Sequence, residues 1–318
     1  MNLATTIITA FLGGSPAAAR TRKAAAPSVD LSGVGFDALH INPNANAIIN
    51  GGSYDASNII TNGIGANIYD GAYGLFVDTD AKATVCSAKL IKGGTYANYG
   101  NGQGGGGRGG VYVASGATLN IADGLIEGGD TNRTTSLDGD GIFASYIGPK
   151  TNKVVITGGK ILGGITSDGD RTTSIFVAGP SIINVFGGVI GDEANQVSLW
   201  MKVGVYGEFL GETDATVNIY GGAWKGEIIA YAYNNGRGFL NIFGKDIQQK
   251  QRVVDSSGVT YSVLIQGVLC DGSFFNTTAY VGVNDNITLT VTNDCAGFVV
   301  PTFDECGSGK SSKSSKGV

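Results

Sequence analysis

Apolar and polar positions alternate along this chain in short phrases, each ending in a glycine break and resuming with a second short apolar run. The phrase reads ATVNIYGGAWKGE at 215–227, ATVCSAKLIKGG at 83–94, ATLNIADGLIEGG at 117–129, KVVITGGKILGG at 153–164 and SIINVFGGVIGDE at 181–193. An early copy is NAIINGGSY at 46–54 and a degraded one is GFLNIFGKDI at 238–247. Period-two alternation predicts strands with one face in and one face out. The glycines predict corners where the backbone turns too sharply for a side chain.

Aligned on Gly52, Lys89, Gly124, Gly159, Gly188, Gly222 and Lys245, the copies step by 37, 35, 35, 29, 34 and 23 residues. The shortest step matches one coil of a β-solenoid, roughly 22 to 25 residues, and the longer steps read as a coil plus an inserted loop. A further strand precedes each phrase: GLFV at 74–77, GVYVA at 110–114, GIFAS at 141–145, SIFVA at 174–178, VGVYG at 203–207 and GEIIAYA at 226–232. Coils stacked about 4.8 Å apart would place Val85, Leu119, Val155, Ile183, Val217 and Leu240 in one interior ladder. Residues 40–250 are therefore expected to form an all-β, parallel solenoid. Residues 251–306 alternate differently (YSVLIQGVLCDGSFF, AYVGVNDNITLTVTNDCAG) and read as a small antiparallel cap. A solenoid end needs one, because its last strands otherwise expose unpaired edges.

Composition agrees with this picture. The 318 residues are 42% hydrophobic and 15% charged, with 53 glycines, and runs of helix-forming residues are scarce. A net charge of −5 supplies no broad basic field for nucleic acid. No apolar run reaches the roughly 20 residues of a membrane span.

The phrase GGVYVASGATLNI resembles the repeats of right-handed parallel β-helix proteins, both the pectate-lyase-like superfold and extracellular adhesins. The resemblance covers about two thirds of the chain and implies a right-handed β-helix. It implies no single activity. The polygalacturonase-like pattern of Asn-Thr-Asp, Asp-Asp, Gly-His-Gly and Arg-Ile-Lys is not met: His40 is the one histidine and there is no Asp-Asp pair.

Chemistry is expected in the loops that leave after the second apolar run, at 95–109, 130–140, 165–173 and about 192–202, because stacked loops build a groove. Two of them share Asp-Gly-Asp: Asp138 with Asp140, and Asp168 with Asp170, each near an arginine, Arg133 and Arg171. Four carboxylates suit a calcium ion, and with an arginine they also suit a lyase or glycosidase. The plainer reading is turn chemistry at a solvated corner. Tyr96, Tyr99 and Trp200 are candidate platforms for sugar rings, whereas Tyr220 and Trp224 sit in the phrase itself. GQGGGGRGG at 102–110 lacks the ending of a phosphate loop.

The first 19 residues, MNLATTIITAFLGGSPAAA, read as a signal peptide without its usual basic start, and 20–39 as a leader or N-terminal cap. Sequons at Asn132, Asn276 and Asn286 suit a secreted glycoprotein. Cys270, Cys295 and Cys306 are disulfide candidates in the cap, and Cys86, inside a repeat strand, reads as a buried free thiol. The tail at 307–318 sets Lys310, Lys313 and Lys316 among serines. Its Lys-Ser-Ser-Lys spacing resembles diatom silaffin-type biosilica-associated proteins, in which serines are phosphorylated, and this resemblance implies contact with silica.

Taken together, these readings predict a secreted, cell-wall or matrix β-helix protein that contacts polysaccharide and silica, with no required cofactor. The alternatives are a calcium-dependent polysaccharide lyase or glycoside hydrolase of β-helix type, and an adhesin-like surface protein.

Overall fold

The computed structural model describes residues 37–57, 72–94, 108–131, 139–144, 148–194, 196–204, 214–233, 236–256, 258–283 and 285–307. Residues 1–36, Tyr96, Tyr99, Asn132, Arg133, Asp138 and residues 308–318 with Lys310, Lys313 and Lys316 lie outside them.

Strands come in successive triplets. The first is β1 (His40–Ile41), β2 (Asn46–Asn50) and β3 (Ser53–Asp55); the second is β4 (Leu75–Val77), β5 (Lys82–Ser87) and β6 (Leu90–Lys92). The third is β7 (Val111–Val113), β8 (Thr118–Ile121) and β9 (Leu125–Glu127); the fourth is β10 (Ile142–Ala144), β11 (Asn152–Ile156) and β12 (Lys160–Leu162). The fifth is β13 (Ile175–Val177), β14 (Ser181–Val185) and β15 (Val189–Ile190); the sixth is β16 (Val197–Val203), β17 (Asp214–Ile219) and β18 (Ala223–Trp224). Then follow β19 (Glu227–Ala232), β20 (Arg237–Val254), β21 (Thr260–Leu269), β22 (Phe274–Gly282) and β23 (Ile287–Thr292).

Each strand pairs in parallel with its counterpart in the next triplet, giving three ladders. The first ladder runs from β1 to β19 and then β22. The second runs from β2 to β20 and then β23. The third runs from β3 to β18. All three send buried aliphatic rows into one core, such as Leu75, Val111, Ile142 and Ile175 from the first and Ile91, Ile126 and Ile161 from the third. This all-β, mostly parallel, nearly closed arrangement is compatible with a solenoid.

The second ladder corrects the expected interior row. Ala47, Ala83, Leu119, Val154, Ile183, Val217 and Leu240 are in register. Val85 belongs to the next inner row, beside Ile49 and Ile121. Val155 points outward between Asn120 and Asn184. The first slip is by two residues, because Ala83 and Val85 both face inward and either could be aligned with Leu119; the second is by one, because Val154 and Val155 are adjacent and alternation alone leaves the face open.

Two glycine sites show why the phrase needs them. Gly159, at the corner between second and third strands, has φ +81°, and a Cβ there would sit 2.7 Å from the Gly124 carbonyl oxygen. Gly164, just past the third strand, would place a Cβ 2.0 Å from the Gly129 oxygen, because backbones of successive coils touch there.

Antiparallel pairing starts at Gly244, where β20 leaves the second ladder and joins β21, which then pairs with β22. The hairpins thereby cover one end of the stack, while β22 and β23 still add a parallel rung to the first and second ladders. Trp224, at the end of the third ladder, packs edge-on against Phe275 at 6.2 Å.

The chain then doubles back. Asn293 exchanges two hydrogen bonds with the Ile247 backbone, at 2.6 and 3.0 Å. Cys295 is bonded to Cys270. Phe298 lies 6.2 Å from both Phe186 and Tyr220, on the outer face of the second ladder. Glu305 accepts a bond from Lys82 Nζ at 2.7 Å, and Cys306 is bonded to Cys86. Residues 293–307 therefore form a strap from the last rung of the second ladder to its second rung. Cys86 is thus not the free thiol expected from sequence. A bulge after Val85 leaves Cys86 without a partner in β2, and its sulfur meets the returning strap instead.

Candidate functional site

Two regions collect the side chains expected to carry chemistry. The first is the corner after the third ladder. Its loop from 163 to 174 is closed by Ile165 and Arg171, which form an isolated antiparallel bridge. Thr166 N–H and Oγ1 both donate to the Asp170 carbonyl, at 2.8 and 2.9 Å, and Oγ1 also reaches Asp168 Oδ1. Gly169, at φ +91°, supplies the left-handed turn between the two aspartates. Asp168 is exposed, and Asp170 accepts from Gln196 Nε2. Asp140, on the preceding coil, is buried. The neighbouring Gly139 carbonyl accepts from Thr172 Oγ1 at 2.7 Å and from Gly164 N–H at 2.8 Å. The Asp-Gly-Asp of 168–170 thus builds its own turn.

Arg171 makes three bonds. Nε donates to Asp192 at 2.8 Å, and Nη1 donates to Glu127 at 2.9 Å and to the Gly163 carbonyl at 2.7 Å. Glu127 lies 3.9 Å from Lys92 Nζ, which in turn lies 3.0 Å from Asp130. Asp130 accepts the Ile165 N–H at 3.1 Å. A chain of alternating charges therefore ties several successive coils together along one edge. Arg171 and Glu127 are each only 14% exposed, so removing one leaves the other poorly solvated. Among the described residues, no group of three or more His, Cys, Asp or Glu is placed to share a metal ion.

The second region is the outer face of the first ladder. In the tripeptides LFV, VYV, IFA and IFV the flanking residues point inward and the middle one outward. Phe76, Tyr112, Phe143 and Phe176 thereby stack in one row, with centroids 4.6, 5.5 and 5.3 Å apart. His40 stacks on Phe76 at 4.7 Å, and Trp200 meets Phe176 edge-on at 5.9 Å. Rings stacked on one another turn their edges to solvent, so the middle of the row is wall and not a sugar platform. Only the ends differ.

At the early end, His40 lies between two carboxylates. Nδ1 is 3.2 Å from Asp37 and Nε2 is 3.1 Å from Asp78. The bond to Asp37, helped by that to Asp78, outweighs the opposing effect of burial and holds the imidazole pKa above its usual value. Asp37 also accepts the Tyr73 N–H at 2.9 Å, and burial pushes the Tyr73 phenol well above its usual range. At the late end, Lys202 Nζ sits 5.8 Å from the Trp200 ring centre and 5.9 Å from that of Tyr233. Tyr280 donates to Glu227 at 3.1 Å one strand beyond.

Of the sequence candidates, the structure brings Asp140, Asp168, Asp170 and Arg171 to neighbouring coils of one corner and puts Trp200 on a different face. Sequence reasoning missed Lys202, Tyr231, Tyr233 and Tyr280. The signal for the row was present, since an aromatic recurs at the centre of β4, β7, β10, β13 and β16. The two sequons described, at Asn276 and Asn286, are both exposed. Asn276 accepts a bond from Gln266 at 2.6 Å. Two disulfide pairs point to an oxidising compartment. Among the described residues no helix is long and apolar enough to cross a membrane.

No family model, curated protein or solved structure matches the chain.

Proposed function

We propose that this chain is a right-handed parallel β-helix that acts outside the cell as a structural and binding protein of a wall or matrix. Its rod contacts polysaccharide through an outer face, and its Lys/Ser tail contacts silica or another polyanion. The observation that carries the reading is the strap. A disulfide with a sequence separation of 220 residues joins Cys306 at the end of the strap to Cys86 in the second coil. A solenoid holds each coil only through its neighbours. A covalent tie along its length suits a protein that must stay rigid under load in an oxidising medium.

The corner expected to hold acid and base chemistry supports the same reading. Arg171 is bonded to Asp192, Glu127 and a carbonyl, and Asp168 is held by its own turn. Both behave as structural groups in that arrangement.

The test is retention of the full chain on immobilised neutral and acidic polysaccharides and on silica, beside a chain lacking residues 308–318. We expect retention on at least one polysaccharide regardless of the tail, and loss of silica retention without it. Retention on none of these surfaces would overturn the proposal.

A further inference from the structure

The late end of the aromatic row carries a lysine, Lys202. Lys202 projects from β16 on the same face as Trp200, two residues along the strand. Trp200 is in register with Ile229 and Tyr280 on the next two strands, and Lys202 with Tyr231. The ammonium lies between two rings, Trp200 and Tyr233, each within 6 Å of it. Such rings attract a cation through their faces. They fix its position without neutralising it.

No carboxylate among the described residues lies within the 4.0 Å of an ion pair with this ammonium. The corner cations contrast with it: Lys92 and Arg171 each meet two carboxylates. Tyr233 is 43% exposed, and Lys202, Tyr231 and Tyr280 are half-buried, so the patch reaches solvent. Trp200 Nε1 is buried with no acceptor among the described residues, which leaves the indole with an unsatisfied donor. In a chain of net charge −5, this cation, with no carboxylate against it among the described residues, is held beside an exposed ring.

We infer that this patch is a binding site for a sugar unit bearing an anionic group, with the pyranose laid against Tyr233 and its carboxylate or sulfate on Lys202 Nζ. The inference rests on the polysaccharide-binding reading above and adds a place and a charge to it. Aromatic faces pack against the C–H face of a sugar ring, and an ammonium already held by rings loses little freedom on meeting an anion. A neutral polymer would gain only the stacking.

A matched set of polymers tests this: dextran, carboxymethyl-dextran and dextran sulfate, titrated into the full chain. The readout is tryptophan fluorescence, since the chain has two tryptophans and Trp224 is buried. Signal from the patch therefore separates from any binding through the Lys/Ser tail. We expect at least one charged dextran to change Trp200 emission and dextran to leave it unchanged. Lys202→Met should raise Kd about tenfold or more, the loss of one charge-assisted contact, and Lys202→Arg should stay close to wild type. Tyr233→Ala should also weaken binding. Lys153→Met, which removes an exposed lysine from the second ladder, should change nothing.

If Lys202→Met and Tyr233→Ala titrate like wild type, or Lys153→Met weakens binding equally, the site is refuted while polymer binding stands. If none of the three dextrans binds by fluorescence or by retention, the site and the polysaccharide reading both fall for this polymer class.

Discussion

Breaking the Cys86–Cys306 bond by the double substitution Cys86→Ser/Cys306→Ser probes the strap where its effect is largest. The bond closes a loop with a sequence separation of 220 residues, and the Cys270–Cys295 bond one of 25. In the chain-entropy account the longer loop is worth about 5 kcal/mol at 25 °C and the shorter about 3.5 kcal/mol, both as upper figures. The last turn of the strap, Asp304–Cys306, also packs on β5 and β2, so freeing it costs some packing besides. Urea unfolding of wild type and of the two double mutants, followed by circular dichroism, compares the bonds directly. Loss of the long bond should destabilise more than loss of the short one. It should also broaden the transition, because the early and late coils are then coupled only through intervening neighbours. Peptide mapping of the unreduced protein should recover Cys86 joined to Cys306. Alkylation of Cys86 in native, unreduced protein, or equal losses for the two double mutants, would refute the reasoning.

Other consequences can be measured one residue at a time. Arg171→Met should destabilise the fold by about 3 kcal/mol, since it leaves the largely buried Glu127 with only the longer contact to Lys92 and frees Asp192; an unchanged melting temperature would contradict the structural role of the corner. His40 is the one histidine, so NMR can titrate it without ambiguity. Its pKa should lie above 6.5, falling in Asp37→Asn and Asp78→Asn. Because the folded value is raised, the clasp's contribution to stability is complete below the unfolded pKa and is lost as pH rises through the folded one. A melting temperature that is flat across that window in wild type, or that falls equally in His40→Asn, would remove the clasp.

The ladders were largely legible in the sequence because an interior of stacked strands demands the same apolar pattern at every coil. Leu119, Ile183, Val217 and Leu240 fall in one row for that reason. Val155 did not, because the residue before it is also valine and the strand's face is set by its neighbours Asn120 and Asn184. The antiparallel end was visible as a change of rhythm, although the switch at Gly244 falls inside a continuous strand and leaves no break to read. The far end of the strap was illegible, since its partners there, Lys82 and Cys86, lie more than two hundred residues upstream and Cys86 looks like any small core residue. In the candidate sites, Asp-Gly-Asp pointed correctly to a turn at 168–170. The ties that occupy Arg171 come from Glu127 and Asp192 on other coils, which no local motif announces. The pairing of Lys202 with Trp200 and Tyr233 is likewise a product of folding: the first two share a strand, and the third arrives from the next coil.

The central proposal is that this chain binds polymer without cleaving it. The most direct measurement incubates the full chain with a panel of acidic and neutral polysaccharides, with and without calcium. Unsaturated products are followed by absorbance and new reducing ends by titration, and retention is measured on the same polymers. The account predicts retention without turnover in either condition. Calcium-dependent turnover that disappears in Asp138→Ala or Asp168→Ala would contradict it and make the corner an active site.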